Sequence, residues 1–152
     1  MKNSNSPFLW KLLFRLYPAY RGTGGKVTYI APDWSEVHVK IPLNLRTWNY
    51  VGTIFGGSMY GAVDPIYMIM LIKRLGDEYI VWDKKAVIRF IKPGRVTLRS
   101  KFVLPDHEIN LIRESLQSDH SIDRTYRVDL IDQEGILCAQ VEKTIYIRKK
   151  TG

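Results

Sequence analysis

One carboxylate occupies an unusual place in this chain. Asp64 stands inside the apolar run Ser58 to Leu75, among Met59, Tyr60, Val63, Tyr67, Met68, Met70 and Leu71. An ionised carboxylate there is costly unless it is hydrogen-bonded, paired or open to a water-filled cleft. Pro65 follows it, and an interior proline costs about 3 kcal/mol by removing a ladder bond and crowding the carbonyl four residues back. That carbonyl belongs to Gly61, whose missing side chain eases the crowding. Two local rules broken at adjacent positions point to a functional site, and the chemistry on offer is that of a general base. The alternative is that Asp64 caps the true helix start, with Pro65 as first helical residue. Upstream, Gly56-Gly57 would open the same helix, where N–H groups point outward and suit a carbonyl oxygen that becomes an oxyanion. A nucleotide loop over Gly52 to Gly56 is excluded, because the P-loop lysine is absent and no strand precedes it.

These residues need elements to hold them. Residues 1–5 are expected to fray. Ser6-Pro7 reads as N-cap and first helical position for Phe8 to Tyr17, with Lys11 and Arg15 on one face and Leu9, Leu12, Leu13 and Leu16 on the other. Packing of that helix on the protein's own core is favoured over contact with a membrane surface through residues 7–21. A signal peptide is disfavoured by the two cations and the lack of a cleavage site. Lys26 to Ile30 and Glu36 to Ile41 alternate as strands around the turn Pro32 to Ser35. Tyr79 to Ile91 and Arg95 to Leu104 read as strands joined by a Lys92-Pro93-Gly94 hairpin. Asp106 is placed to cap a short helix through Leu116. Arg124 to Ile131 and Ile136 to Arg148 form a last strand pair around Asp132 to Gly135. The order predicts an α+β domain in which six antiparallel strands wrap a long central helix. A helix so apolar all round should be buried on most sides, and one sheet covers one side, so a homodimer is expected.

Composition narrows the classes. With 152 residues, 45% hydrophobic and 25% charged, the chain is one ordinary globular domain, and no apolar run is long enough to span a membrane. Its single cysteine, Cys138, excludes an internal disulfide, disfavours a thiolate zinc site and fits a cytoplasmic setting. The net charge of +8 favours anionic partners: nucleic acid, anionic lipid or a phosphorylated small molecule. Trp34, Trp48 and Trp82 near cations could imitate a nucleic-acid surface, but no nucleic-acid motif accompanies them. His38, His107 and His120 are too dispersed for a local metal cluster, and no serine-nucleophile elbow exists.

The run Asn49-Tyr50-Val51-Gly52-Thr53-Ile54-Phe55-Gly56-Gly57-Ser58-Met59-Tyr60-Gly61-Ala62-Val63-Asp64 resembles the hotdog-fold acyl-CoA thioesterases of the phenylacetyl-CoA type. Those enzymes carry Asn, His-Gly-Gly six residues later, and Asp nine residues after the His; both spacings hold, with Phe55 in the histidine position. Ala86 to Gly94 is similar to the family's strand ending in an aromatic, a basic residue and Pro-Gly. The closest likeness is to a branch of mostly unassigned function. The resemblance covers most of residues 24–148, leaving residues 1–23 as an amphipathic helical extension and 149–152 as a basic tail. It implies a hotdog fold, an acyl-CoA or related acyl-thioester substrate, no cofactor beyond the substrate's own coenzyme A, no metal, and a homodimer or homotetramer with sites across the interface. It further implies that Gly56 N–H polarises the thioester carbonyl and that Asp64 of the opposing protomer acts as base or nucleophile. Asn49 would hold the loop and orient water or substrate. Asp83 stands where relatives place a water-orienting Ser or Thr; it either lies near Asp64 and raises a pKa there, or pairs with Lys84 in a structural ion pair. Phe55, Gly57, Tyr60 and Tyr67 are candidates for substrate binding, with core packing favoured for each tyrosine taken singly. Arg89, Lys92 and Arg95 are candidates for the coenzyme phosphates. The substitution of Phe55 for histidine leaves a non-catalytic acyl-thioester or lipid-binding protein as the second reading.

Overall fold

Alternating apolar and polar residues place six strands, and in the computed structural model they form one antiparallel sheet. The structure describes residues 6–151, so the fraying expected for residues 1–5 lies outside it. In chain order the elements are α1 (Pro7–Leu16), α2 (Pro18–Gly22), β1 (Lys26–Ile30), β2 (Glu36–Ile41), α3 (Gly56–Val63), α4 (Ile66–Leu75), β3 (Tyr79–Phe90), β4 (Leu98–Val103), α5 (Asp106–Ser118), β5 (Ile122–Ile131) and β6 (Leu137–Lys149). The strand order is β1-β2-β4-β5-β6-β3. The β1–β2 and β5–β6 pairs are hairpins at the expected turns. The 92–94 turn is not: β3 pairs with β6 while β4 pairs with β2 and β5, so Lys92 to Gly94 begins a crossover. Turn chemistry reports a change of direction, and the partner of a strand is chosen by distant residues.

The predicted long helix is present but broken into α3 and α4 at Asp64-Pro65. Both residues keep right-handed helical dihedrals (φ -48°, ψ -53° and φ -82°, ψ -8°), so the break is a kink rather than a turn. Asp64 N–H still donates to the Tyr60 carbonyl at 2.9 Å. Proline, having no N–H, leaves the next ladder rung unmade. The cap reading of Asp64 therefore fails, since the helix starts at Gly56 and the carboxylate is engaged elsewhere. On the sheet side, Met59, Val63, Ile66, Met70 and Leu71 pack with Val39, Ile41, Leu98, Phe102, Val141 and Ile145, all at most 3% exposed. Burying each such side chain contributes about 1.5–3 kcal/mol. Cys138 is buried.

The helix is covered partly by the chain itself. Tyr20 Oη–H donates to the Ala62 carbonyl at 2.9 Å, and Lys73 Nζ lies 4.8 Å from the Trp10 ring centre. Trp10 meets Trp34 edge-on at 5.4 Å, and Phe14 meets Tyr20 at 4.8 Å. Trp34 is thus a core residue and no part of a surface. The inward face of α1 also departs from expectation: Trp10 and Phe14 point in, while Leu12 and Leu16 are exposed. Asp106 is the first residue of α5 and makes no cap; it pairs with Arg74, which also donates to the Leu104 carbonyl. The basic tail begins later than expected, because β6 runs through Lys149 and Lys150 N–H donates to the Glu78 carbonyl at 2.8 Å.

Candidate active site

The kink presents Asp64 to β6. Along that strand Ala139, Val141, Ile145 and Ile147 face the core, and Lys143 occupies the same phase. Its side chain is 2% exposed, and its Nζ donates to Asp64 Oδ1 at 2.5 Å and approaches Asp83 Oδ2 at 3.0 Å. Tyr60, one turn before Asp64, donates its hydroxyl to the same Oδ1 at 2.6 Å. Both contacts fall on one carboxylate oxygen, the Asp64 side chain is 38% exposed, and no hydrogen bond engages Oδ2 among the described residues.

Asp83 reaches this cluster through an irregularity in β3. The register against β6 slips between Asp83 and Lys85, and the residues packed on the core change from Tyr79 and Val81 before the slip to Ile88 after it. Such a bulge re-aims side chains without ending the strand. Asp83 consequently turns toward Lys143. Lys84, the bulged residue, leaves it and pairs with Asp123 at 2.6 Å, so the Asp83–Lys84 pair does not form.

Electrostatics follow from burial and the shared ammonium. Burial pushes the Asp83 carboxyl above its ordinary range, opposed by Lys143 and assisted by the Asp64 charge. Burial also works against the Lys143 ammonium, but the hydrogen bonds and charges of Asp64 and Asp83 prevail and hold its pKa above that of an ordinary lysine. The Tyr60 hydroxyl is raised by burial and by its bond to Asp64. Lys143 was not legible as a motif; its signal is a lysine in the inward phase of an otherwise apolar alternation.

At the other end of α3, Gly56 and Gly57 supply the first N–H groups of the helix, which have no acceptor within it. Neither position has room for a side chain. A Cβ on Gly56 would meet the Phe90 ring at 2.7 Å, and one on Gly57 would meet the Phe55 ring at 2.4 Å. Both rings remain more than half exposed, forming an apolar margin around these amides. Asn49 is committed to its loop: its Nδ2 donates to Thr53 Oγ1 at 3.0 Å, and its Oδ1 accepts from the N–H groups of Val51 and Thr53.

The remaining candidates divide. Tyr67 is a core residue, stacked 4.8 Å from Tyr126 and edge-on to Phe102, with its hydroxyl donating to the Arg127 carbonyl at 3.3 Å. Arg89 is exposed on β3, one residue before Phe90. Lys92 and Arg95 line a hollow of about 340 Å³ that also holds Asp132 and Glu134, so its charge is mixed. The crossover bearing them is stitched to the loop ahead of α3, since Ile54 N–H donates to the Gly94 carbonyl at 2.8 Å. Among the described residues, no three His, Cys, Asp or Glu side chains group as a metal site.

Residues 7–147 match the family model described as a domain of unknown function, DUF4442. The chain belongs to that family. No curated protein matches it by sequence. Among solved structures, it is similar to a Pseudomonas aeruginosa protein described as of unknown function and a probable thioesterase, at 17% identity and a TM-score of 0.82 over 97% of this chain and 100% of that one. It is also similar to a thioesterase from Haemophilus influenzae, at 14% identity and a TM-score of 0.71 over 97% and 94% of the two chains. A mutant thioesterase from Pseudomonas aeruginosa gives 9% identity and a TM-score of 0.69 over 97% and 98%. The fold of this DUF4442 domain is thus hotdog-like: an open six-stranded antiparallel sheet on a long helix, with added helices.

Proposed function

We propose that this DUF4442 protein hydrolyses an acyl thioester, with acyl-CoA as the substrate class, at sites shared between two copies of the chain. The observation that carries the proposal is Asp64, a carboxylate held at a helix kink with one oxygen fixed by Tyr60 and Lys143 and the other open. As general base, Asp64 takes a proton from water while the oxygen of that water adds to the thioester carbonyl carbon. The carbonyl oxygen gains negative charge and is met by the Gly56 N–H at the positive end of α3. Collapse breaks the carbon–sulfur bond, and the departing thiolate recovers the proton from Asp64, giving a carboxylic acid and a thiol.

Geometry within one chain supports the need for a second copy. Gly56 and Asp64 are eight residues apart, about 12 Å along a helix, which is too far to serve one carbonyl. The outer edge of β3 pairs with no strand among the described residues and exposes Trp82, Val87 and Phe90. The loop ahead of α3 adds Trp48, Tyr50 and Phe55 to the exposed apolar surface. Unpaired strand edges with apolar side chains favour pairing with another chain. In this arrangement the Phe55 and Phe90 rings contact the acyl group, and Arg89, Lys92 and Arg95 stand on the side for the coenzyme phosphates.

The test is thiol release from a panel of acyl-CoAs. Wild type turns over at least one, and Asp64→Asn lowers kcat by about 10²–10⁴-fold, the range for a positioned acid–base group. No turnover by wild type, or unchanged turnover in the variant, defeats the catalytic reading. The phenyl rings packed on Gly56 and Gly57 favour a second reading, a protein that binds acyl thioesters without cleaving them. Phe55→His separates the two: a large gain in turnover supports binding alone for the natural protein.

A further inference from the structure

We propose that the α1–α2 face is a docking surface for anionic lipid bilayers. Helix α1 carries two apolar faces. Trp10 and Phe14 anchor it to Trp34 and Tyr20, fixing its orientation. The other face carries Phe8, Leu12 and Leu16 at successive intervals of four, and these are 74%, 40% and 60% exposed. Three large apolar side chains in one stripe on a rigidly held helix have no use in the protein's own packing. Beside them, Leu45 is 87% exposed.

The charge around the stripe selects the occupant. Phe8, Leu12, Leu16 and Leu45 line a groove of about 1170 Å³ between α1–α2, the β1–β2 hairpin and the 44–46 loop. Six cations line the same groove: Lys11, Arg15, Arg21, Lys26, Lys40 and Arg46. No carboxylate is among the lining residues. The hollow beside Lys92 and Arg95, in contrast, balances its cations with two acids. A polybasic rim around protruding apolar side chains matches the plane of an anionic bilayer, where apolar groups enter the acyl boundary and cations meet headgroup phosphates and carboxylates. Nucleic acid would use the cations and leave the apolar stripe in water. No helix of the described residues is long and apolar enough to cross a membrane. Because Tyr20 bonds Ala62, two residues before Asp64, docking would hold the proposed site at a defined height above the bilayer.

Sedimentation of the full chain with vesicles tests this. Vesicles of phosphatidylcholine with about a third phosphatidylserine should pellet wild type, pure phosphatidylcholine vesicles should pellet little, and raised salt should weaken the binding. Removing the apolar stripe by Phe8→Ser with Leu12→Ser and Leu16→Ser should abolish pelleting while the thermal midpoint stays near wild type. Lys11→Gln with Arg15→Gln should lower partitioning by roughly 25-fold, taking about fivefold per cation near an anionic surface. Removing two cations elsewhere, by Lys84→Gln with Lys101→Gln, should leave it within about threefold, which separates a docking face from the net charge of +8. The proposal is overturned if wild type stays in solution with anionic vesicles at low salt. It is equally overturned if the stripe variant pellets like wild type, or if the two cation pairs act alike. Saturable binding of dodecyl phosphate without vesicle association would assign the groove to a soluble amphiphile and overturn docking.

Discussion

Two clusters in this molecule use the same chemistry: a carboxylate, a cation and a tyrosine. At Glu108, Arg124 donates through Nε to Oε1 at 2.8 Å and through Nη2 to Oε2 at 2.5 Å, and Tyr126 adds its hydroxyl to Oε1 at 2.7 Å. Both oxygens are engaged and the residue is buried. At Asp64, the tyrosine and the cation share one oxygen, the second carries no hydrogen bond, and another carboxylate draws on the same lysine. Arginine's planar fork saturates a carboxylate, whereas lysine's point charge leaves capacity over. The first cluster ties α5 to β5. The second orients a partly exposed carboxylate and leaves one of its oxygens unbonded, which is the difference between a structural ion pair and a candidate site.

Substitution at the two acids should separate these roles. Glu108→Gln is expected to cost about 2 kcal/mol of stability, a buried-pair loss discounted because Arg124 is partly exposed and resolvates. It should leave thioester turnover within twofold, and urea unfolding with parallel kinetics reads both. Asp64→Asn should show a large loss of turnover with a smaller stability cost of about 1 kcal/mol, because the buried Lys143 ammonium keeps Asp83 as its charged partner. A stability loss without a turnover loss at Asp64 would erase the distinction.

Lys143→Met comes next in size. Methionine fills a similar volume, so the cost is that of two carboxylates left without their shared ammonium, about 1–2 kcal/mol given that both are partly exposed. The Asp83 carboxyl, no longer opposed by the ammonium, should rise further, which NMR titration of the carboxyl reads.

Acid titration gives the smallest and most specific contrast, because the clusters contribute with opposite signs. Burial raises Glu108, but the Arg124 and Tyr126 bonds outweigh it and hold the carboxyl below its ordinary 4.5. Its stabilisation is therefore full above that value and lost as pH falls through the folded value. Asp83 is held above its ordinary 3.8 chiefly by burial, so its contribution is full below 3.8 and lost as pH rises through the folded value. Relative to wild type, Glu108→Gln should lose more stability at pH 7 than at pH 3, and Asp83→Asn should lose less at pH 7 than at pH 3. Equal pH dependence in the two variants would contradict the assigned directions.

The same contrast explains what could be read from the sequence. Alternation in Glu36 to Ile41 and in Ile136 to Arg148 is a local signal, and those strands stand within a residue of their expected bounds. The exception at Asp64-Pro65 was visible because two rules fail side by side. Lys143 was harder, since a lysine in a strand reads as solvated unless its phase is followed. The Asp83 contact depends on a bulge at Lys84, and the role of Lys92 to Gly94 depends on which strands pair. The two faces of α1 required knowing that Trp34 waits beneath Trp10.

The central claim, a site made from Asp64 of one chain and Gly56 of another, is tested most directly by mixing inactive variants. Asp64→Asn and Gly56→Pro proteins, the proline removing the Gly56 N–H at the first position of α3, are each verified as folded, combined in equal amounts, dissociated and reassociated, and thiol release is measured. Random pairing makes half of the dimers mixed, each with one intact site of two, so the account predicts recovery to roughly a quarter of the wild-type rate. A mixture as inactive as its two components would contradict it.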